Sequence, residues 1–60
     1  MKKLLNYDAV DDENTTEVMI DKIVRFSKSK DNEITYIHLI NGEILESNDS
    51  IKTLTARIEL

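Results

Sequence analysis

The chain has 60 residues, with eight Lys or Arg against twelve Asp or Glu and a formal net charge of −4. It contains no cysteine, which excludes a disulfide framework and a thiolate metal site, and a single histidine, which excludes most zinc sites. A domain of this length buries only about 60% of the surface of its unfolded chain. Self-association is the remaining source of stability, and we predict a homodimer or a larger homo-oligomer.

Residues 1–16 predict an arm or an edge strand followed by an acidic loop. A calcium loop needs a glycine at its sharp turn, and no glycine precedes Gly42, so no metal site is predicted. The acidic side chains keep the protein solvated or form a face for a basic partner protein. They are Asp8, Asp11, Asp12 and Glu13.

The segment 15–30 is compatible with two structures. Its β-branched residues favour a strand over about residues 18–27, which is the structure we prefer. The alternative is a helix over 15–28, with Asn14 as N-cap and Glu17 three residues later, followed by a three-stranded meander. This region and the loop after it carry the only local group of basic side chains, a candidate contact for nucleic acid. They are Lys22, Arg25, Lys28 and Lys30.

Two runs of β-branched, aromatic and leucine residues, 33–40 and 43–47, are separated by Asn41-Gly42. Asn-Gly between such runs is the strongest short-range signal for a hairpin, and it predicts a two-residue type I′ turn with positive φ at both positions. We therefore expect an antiparallel hairpin at the centre of a small sheet.

A two-residue turn fixes which side chains share a face of this hairpin. It pairs Leu39 with Ile44 and His38 with Leu45. One face then carries Ile37, Leu39 and Ile44, and the other carries Tyr36, Ile40 and Leu45. Because neither face is polar, something has to cover the second one. We predict that Ile37, Leu39 and Ile44 form a self-association surface.

The end of the chain predicts a helix over about residues 50–59. Asn, Asp and Ser stand at 48–50, where a helix N-cap is expected, and apolar residues follow at helical spacing. An alternating pattern over 54–60 also fits a strand, but the cap residues favour the helix. The fold class is thus α+β, with a hairpin-centred antiparallel sheet, a preceding strand and a C-terminal helix in one small domain, 1–60.

No arrangement of residues typical of catalysis is visible. His38 lies between apolar residues in the middle of a strand, and Glu43 and Glu46 point to opposite faces of theirs. No glycine-rich loop is present to hold a phosphate, so we expect neither an enzyme nor a cofactor. No apolar run is long enough to span a bilayer, which predicts a cytoplasmic protein without a membrane partner. The frequency of Ile, Lys and Asn is typical of low-GC bacteria and their phages.

Residues 18–60 resemble the β-strand core of LytTR-type DNA-binding domains. The similarity rests on the strand Ile23-Val24-Arg25-Phe26, the run Ile34-Thr-Tyr-Ile-His-Leu, the Asn41-Gly42 turn and the helix pattern Ser50-Ile51-x-x-Leu54-x-x-x-Ile58. The resemblance implies a transcriptional regulator that binds DNA. Domains of that family are longer and are basic on their DNA-reading loops, whereas this chain is acidic, and no binding residue is transferred.

Two functions are therefore expected from the sequence. The leading one is a small non-enzymatic cytoplasmic module that acts through protein contact and self-association. The alternative is a nucleic-acid-binding regulator that uses its four basic residues.

Overall fold

The structure is a computed structural model that describes residues 3–11, 15–31 and 33–59. Within these residues the chain forms five strands and one α-helix, which confirms the α+β class, the hairpin and the C-terminal helix. The strands are β1 (Leu4–Asp8), β2 (Thr15–Met19), β3 (Ile23–Lys28), β4 (Thr35–Leu39) and β5 (Ile44–Ser47), and the helix is α1 (Ile51–Glu59).

The segment between residues 15 and 28 is extended rather than helical. β2 and β3 occupy it, and a short 3-10 turn at Ile20–Lys22 separates them. The alternative of a helix over 15–28 is therefore wrong, and the strand predicted over 18–27 is divided by the turn. Of the two structures considered for residues 1–16, the strand is present as β1, which pairs antiparallel with β2.

The strands form two antiparallel sheets that are linked at both ends. One contains β1 and β2, and the other has the order β3-β4-β5. Beyond β1, Ala9 forms a bridge with Ser47 of β5, which joins the sheets on one side. On the other side the 3-10 turn carries the chain from β2 to β3, and Ile40 N–H donates to the carbonyl of Lys22 at 2.9 Å. The two sheets therefore surround one core.

The core lies between the sheets and under the helix. Leu5 and Tyr7 of β1, Ile37 of β4 and Leu54 of α1 are buried. Eight partly buried apolar side chains pack around them: Ala9, Val18, Ile20, Ile23, Phe26, Leu39, Leu45 and Ile58. Burial of these side chains is the main stabilising contribution available to so small a domain.

Capping and one ion pair hold the helix in place. Ser50 precedes α1, and its hydroxyl oxygen accepts the N–H of Thr53 at 3.1 Å, as an N-cap residue does. Asp49 Oδ2 accepts from the backbone N–H of Asp8 at 2.9 Å and from Arg57 Nη1 at 2.9 Å. Since Arg57 lies in the last turn of α1, this carboxylate fastens both ends of the helix to β1.

The hairpin between β4 and β5 closes with a three-residue loop, not with the predicted two-residue turn. Leu39 N–H donates to the carbonyl of Glu43 at 2.9 Å, and Gly42 N–H donates to the carbonyl of Leu39 at 3.1 Å. Gly42 has φ of +90°, whereas no other described residue has positive φ. A type I′ turn needs positive φ at Asn41 as well, so it is excluded, and the loop matches a turn followed by a glycine bulge.

This loop shifts the register of the hairpin by one residue from the prediction. Ile37 lies opposite Leu45, and His38 lies opposite Ile44. Because side chains alternate along a strand, the shift exchanges the faces of β5. Leu45 packs against the core, and Ile44 faces outward with 55% of its surface exposed.

Candidate interaction surface

The side of the β3-β4-β5 sheet that points away from the core is called here the outer face. It is identified by alternation: Phe26, Ile37 and Leu45 lie opposite one another in register and pack inward. Their neighbours along each strand therefore point outward. The outer face consists of Val24, Arg25, Ser27, Tyr36, His38, Ile44 and Glu46.

A β-bulge in β3 adds an apolar residue to this face. Ile23 pairs with Leu39 and Arg25 pairs with His38, so Val24 is additional between them. Ile23 packs against the core, whereas Val24 and Arg25 are both exposed. A bulge places two residues of one strand against a single residue of its neighbour, which explains why Val24 does not point inward.

Apolar side chains flank His38 across three neighbouring strands. Val24 is 59% exposed and Ile44 is 55% exposed. Ile44 is paired with His38, and Val24 is the bulge residue that precedes Arg25, the partner of His38 on β3. Ile40, in the loop after β4, is 62% exposed. We call Val24, His38, Ile40 and Ile44 the outer patch. Neighbouring strands are about 4.8 Å apart, so the row from Val24 to Ile44 is roughly 10 Å wide.

The imidazole of His38 is held by a hydroxyl from the next strand. Ser27 Oγ and His38 Nε2 are 2.7 Å apart, and both residues are partly buried. A serine and a base at this distance are the first two parts of a nucleophilic site. Among the described residues, however, no carboxylate or carbonyl binds the second ring nitrogen and orients it. The bond fixes the ring on the outer face.

The four basic residues predicted to bind nucleic acid do not form one group. Lys22 lies in the 3-10 turn before β3, and Arg25 lies on the outer face. Lys28 ends β3, and Lys30 follows in the loop. At roughly 3.3 Å per residue, Lys22 and Lys28 are about 20 Å apart along the strand. Only Lys28 and Lys30 are near neighbours among the four, because they are two positions apart in the sequence.

The described part of the predicted acidic face adjoins the outer patch. Asp8 and Asp11 are exposed at the end of β1, whereas Asp12 and Glu13 lie outside the described residues. Asp11 shares the wall of a shallow pocket of about 210 Å³ with Ile44 and Glu46. Carboxylates therefore border the outer patch on the β5 side.

The predicted self-association residues are separated in the structure. Ile37 is fully buried in the core, Leu39 is partly buried beside it, and only Ile44 is exposed. The sequence interpretation missed Val24, because Ile23, Val24 and Phe26 are all apolar and a bulge leaves no trace in such a pattern. It placed His38 beside Leu45, whereas Ile44 is the neighbour.

A pocket of about 380 Å³ between the β3–β4 loop and the start of α1 is lined by Lys28, Glu33, Thr35, Asn48, Ser50 and Ile51. Among the described residues, no three His, Cys, Asp or Glu side chains are grouped as metal ligands. Within the same ranges, no helix has both the length and the apolar character needed to cross a lipid bilayer.

Searches of protein-family models, of curated proteins and of solved structures found no match to this chain.

Proposed function

We propose that the protein is a small non-enzymatic interaction module that self-associates through the outer patch. The observation that carries this proposal is the exposure of Val24 and Ile44 on either side of His38. Single exposed apolar residues are common on protein surfaces, but several β-branched residues exposed on the same face of a small sheet usually contact another layer. A second protein layer packed on the outer face would bury Val24 and Ile44.

A second copy of the chain is the occupant that fits this face best. Arg25 lies at the β3 side of the outer face and Glu46 at the β5 side. A two-fold axis parallel to the strands places β3 of one copy over β5 of the other, which brings Arg25 within reach of the second copy's Glu46. The same operation stacks the apolar row on its own equivalent, as an isologous dimer interface requires.

The size of the face sets the expected strength of the dimer. Three strands about 4.8 Å apart give an interface at the small end of the range for specific complexes. We therefore expect micromolar rather than nanomolar affinity and a monomer–dimer equilibrium that depends on concentration. Burial of apolar surface supplies most of the free energy, because an exposed ion pair at the rim contributes at most about 1 kcal/mol.

The variant Ile44→Asp tests the proposal. It puts a carboxylate into the apolar row of the interface, where the second copy would remove it from water, so the dissociation constant should rise at least about tenfold. The side chain of Ile44 is largely exposed in the single chain, so the variant should fold. The measurement is the weight-average mass from sedimentation over a concentration series, with circular dichroism as the test of folding.

Leu4→Asp is the matched control, because Leu4 is an exposed apolar residue in a strand of the other sheet, opposite Met19. It should associate as the wild type does. The proposal fails if the wild type stays monomeric at high concentration or if folded Ile44→Asp associates normally. Loss of association in Leu4→Asp alone would place the interface on the β1–β2 sheet and would also contradict it.

A further inference from the structure

The loop that joins β4 and β5 contains an asparagine followed by glycine, which is a reactive pair. Gly42 has no Cβ to obstruct the approach of its backbone nitrogen to the side chain of Asn41. Both residues are exposed, and open space surrounds Gly42. We propose that Asn41 is a deamidation site that the folded hairpin keeps closed and that opening of the hairpin makes reactive. This inference is independent of the proposed function.

The reaction needs only the chain and water. The backbone nitrogen of Gly42 loses its proton and attacks Cγ of Asn41, which forms a C–N bond and closes a five-membered succinimide ring. The Cγ–Nδ2 bond breaks, and the nitrogen leaves as ammonia with the proton. Water then opens the ring at either carbonyl, which gives aspartate or isoaspartate. No atom changes oxidation state.

Both reacting groups are held by hydrogen bonds in the folded loop. Gly42 N–H, the source of the nucleophile, donates to the carbonyl of Leu39 at 3.1 Å. Asn41 Oδ1 accepts the backbone N–H of Glu43 at 3.0 Å, and Asn41 Nδ2 donates to Glu43 Oε1 at 3.3 Å. Only the amide oxygen can accept from an N–H, so these contacts fix the orientation of the side chain.

The backbone conformation also opposes ring closure. Asn41 is the third residue of the turn that begins at Leu39, and its φ is negative. In a type I turn ψ at this position is close to 0°. To close the ring, the bond between Cα and C of Asn41 must rotate until the nitrogen of Gly42 lies beside the side chain. That rotation breaks the bond from Gly42 to Leu39, so the loop has to open first.

The product would alter the loop permanently. Isoaspartate adds one backbone carbon to the connection between β4 and β5, and either product adds a carboxylate next to Glu43. The glycine bulge sets the hairpin register, so a longer backbone there disturbs the pairing of the two strands.

The test compares the full chain at mildly alkaline pH with and without urea. Aspartate and isoaspartate at position 41 are quantified over time by peptide mass spectrometry, and Asn48 in the same samples serves as the internal reference. We expect the reaction at Asn41 to be at least about tenfold slower without urea, since it follows the population of the open hairpin. Ile37→Ala, which loosens the hairpin, should react faster than the wild type without urea.

Equal rates at Asn41 with and without urea would show that the loop gives no protection and would overturn the proposal. Absence of reaction in the unfolded chain would overturn it too, because Asn41 would then not be reactive. An Ile37→Ala variant that is destabilised but reacts as slowly as the folded wild type would contradict the requirement for hairpin opening.

Discussion

Replacing Ile37 by alanine is expected to leave much of the chain unfolded at room temperature. Ile37 is fully buried at the centre of the middle strand, between Phe26 and Leu45. Truncation of a buried isoleucine removes apolar contacts and leaves a cavity, and it typically costs about 2–5 kcal/mol. A domain of this length has only a few kcal/mol of stability, so the loss is comparable to the total.

Urea denaturation followed by circular dichroism measures this effect. At a concentration at which the chain is monomeric, Ile40→Ala is the control, because Ile40 is an exposed residue in the neighbouring loop, and its unfolding free energy should change by less than about 0.5 kcal/mol. Equal midpoints for Ile37→Ala and Ile40→Ala would mean that Ile37 is not in the core. The same burial makes Ile37→Asp unsuitable as a test of self-association, because it would unfold the chain.

Replacing Asp49 by alanine is expected to have the second largest effect. Asp49 Oδ2 accepts from the N–H of Asp8, from Arg57 Nη1 and from Ser47 Oγ, the last at 3.4 Å. Ser47 is fully buried, whereas the Arg57 side chain is 39% exposed and can be hydrated after the change. We therefore expect a loss of about 2 kcal/mol, from the buried Ser47 hydroxyl that loses this acceptor and from the loss of the charge-assisted bonds to Asp8 and Arg57.

Thermal and urea unfolding of Asp49→Ala test this prediction, with Asp31→Ala as the control at an exposed loop position. Asp49→Asn separates charge from hydrogen bonding, because the amide keeps an acceptor oxygen but not the negative charge. It should retain part of the lost stability. If Asp49→Ala unfolds at the same urea concentration as Asp31→Ala, the carboxylate does not hold α1 to β1.

Local signals were sufficient to predict the helix and the presence of the hairpin. Ser50 caps α1, and Leu54 is buried on the face that the spacing indicated. These features depend on neighbours within one or two turns of chain, which the sequence displays directly. For residues 15–28 the local signals conflicted, because the β-branched residues favour a strand whereas Asn14 and Glu17 fit the start of a helix. The 3-10 turn within that segment carries no distinctive residue pattern.

The hairpin register depended on a detail that the sequence does not contain. Asn-Gly fits a two-residue turn with both residues at positive φ, and it also fits a three-residue loop in which only Gly42 adopts it. Ile44 and Leu45 are both apolar, so alternation did not distinguish the two registers. One residue of difference moved Ile44 from the face of Ile37 and Leu39, where the prediction placed it, to the opposite face of the sheet.

The candidate site depended on the same kind of nonlocal information. Val24 reaches the outer face because of a bulge opposite His38, and the pairing of β3 with β4 decides where the bulge lies. The buried Ser47 was not predicted either, because its position depends on the pairing of β5 with β4 and on the bridge to Ala9. The position of Val24 and the burial of Ser47 are therefore set by contacts between residues far apart in the sequence, which local patterns do not predict.

Concentration-dependent NMR of the uniformly ¹⁵N-labelled wild-type chain tests the central claim most directly. If the outer patch mediates self-association, dilution should move the amide signals of Val24, Arg25, His38 and Ile44, and it should leave those of Leu4 and Met19 in place. The size of the shifts against concentration gives the dissociation constant. Signals that do not change with concentration, or changes confined to β1 and β2, would contradict self-association through the outer face.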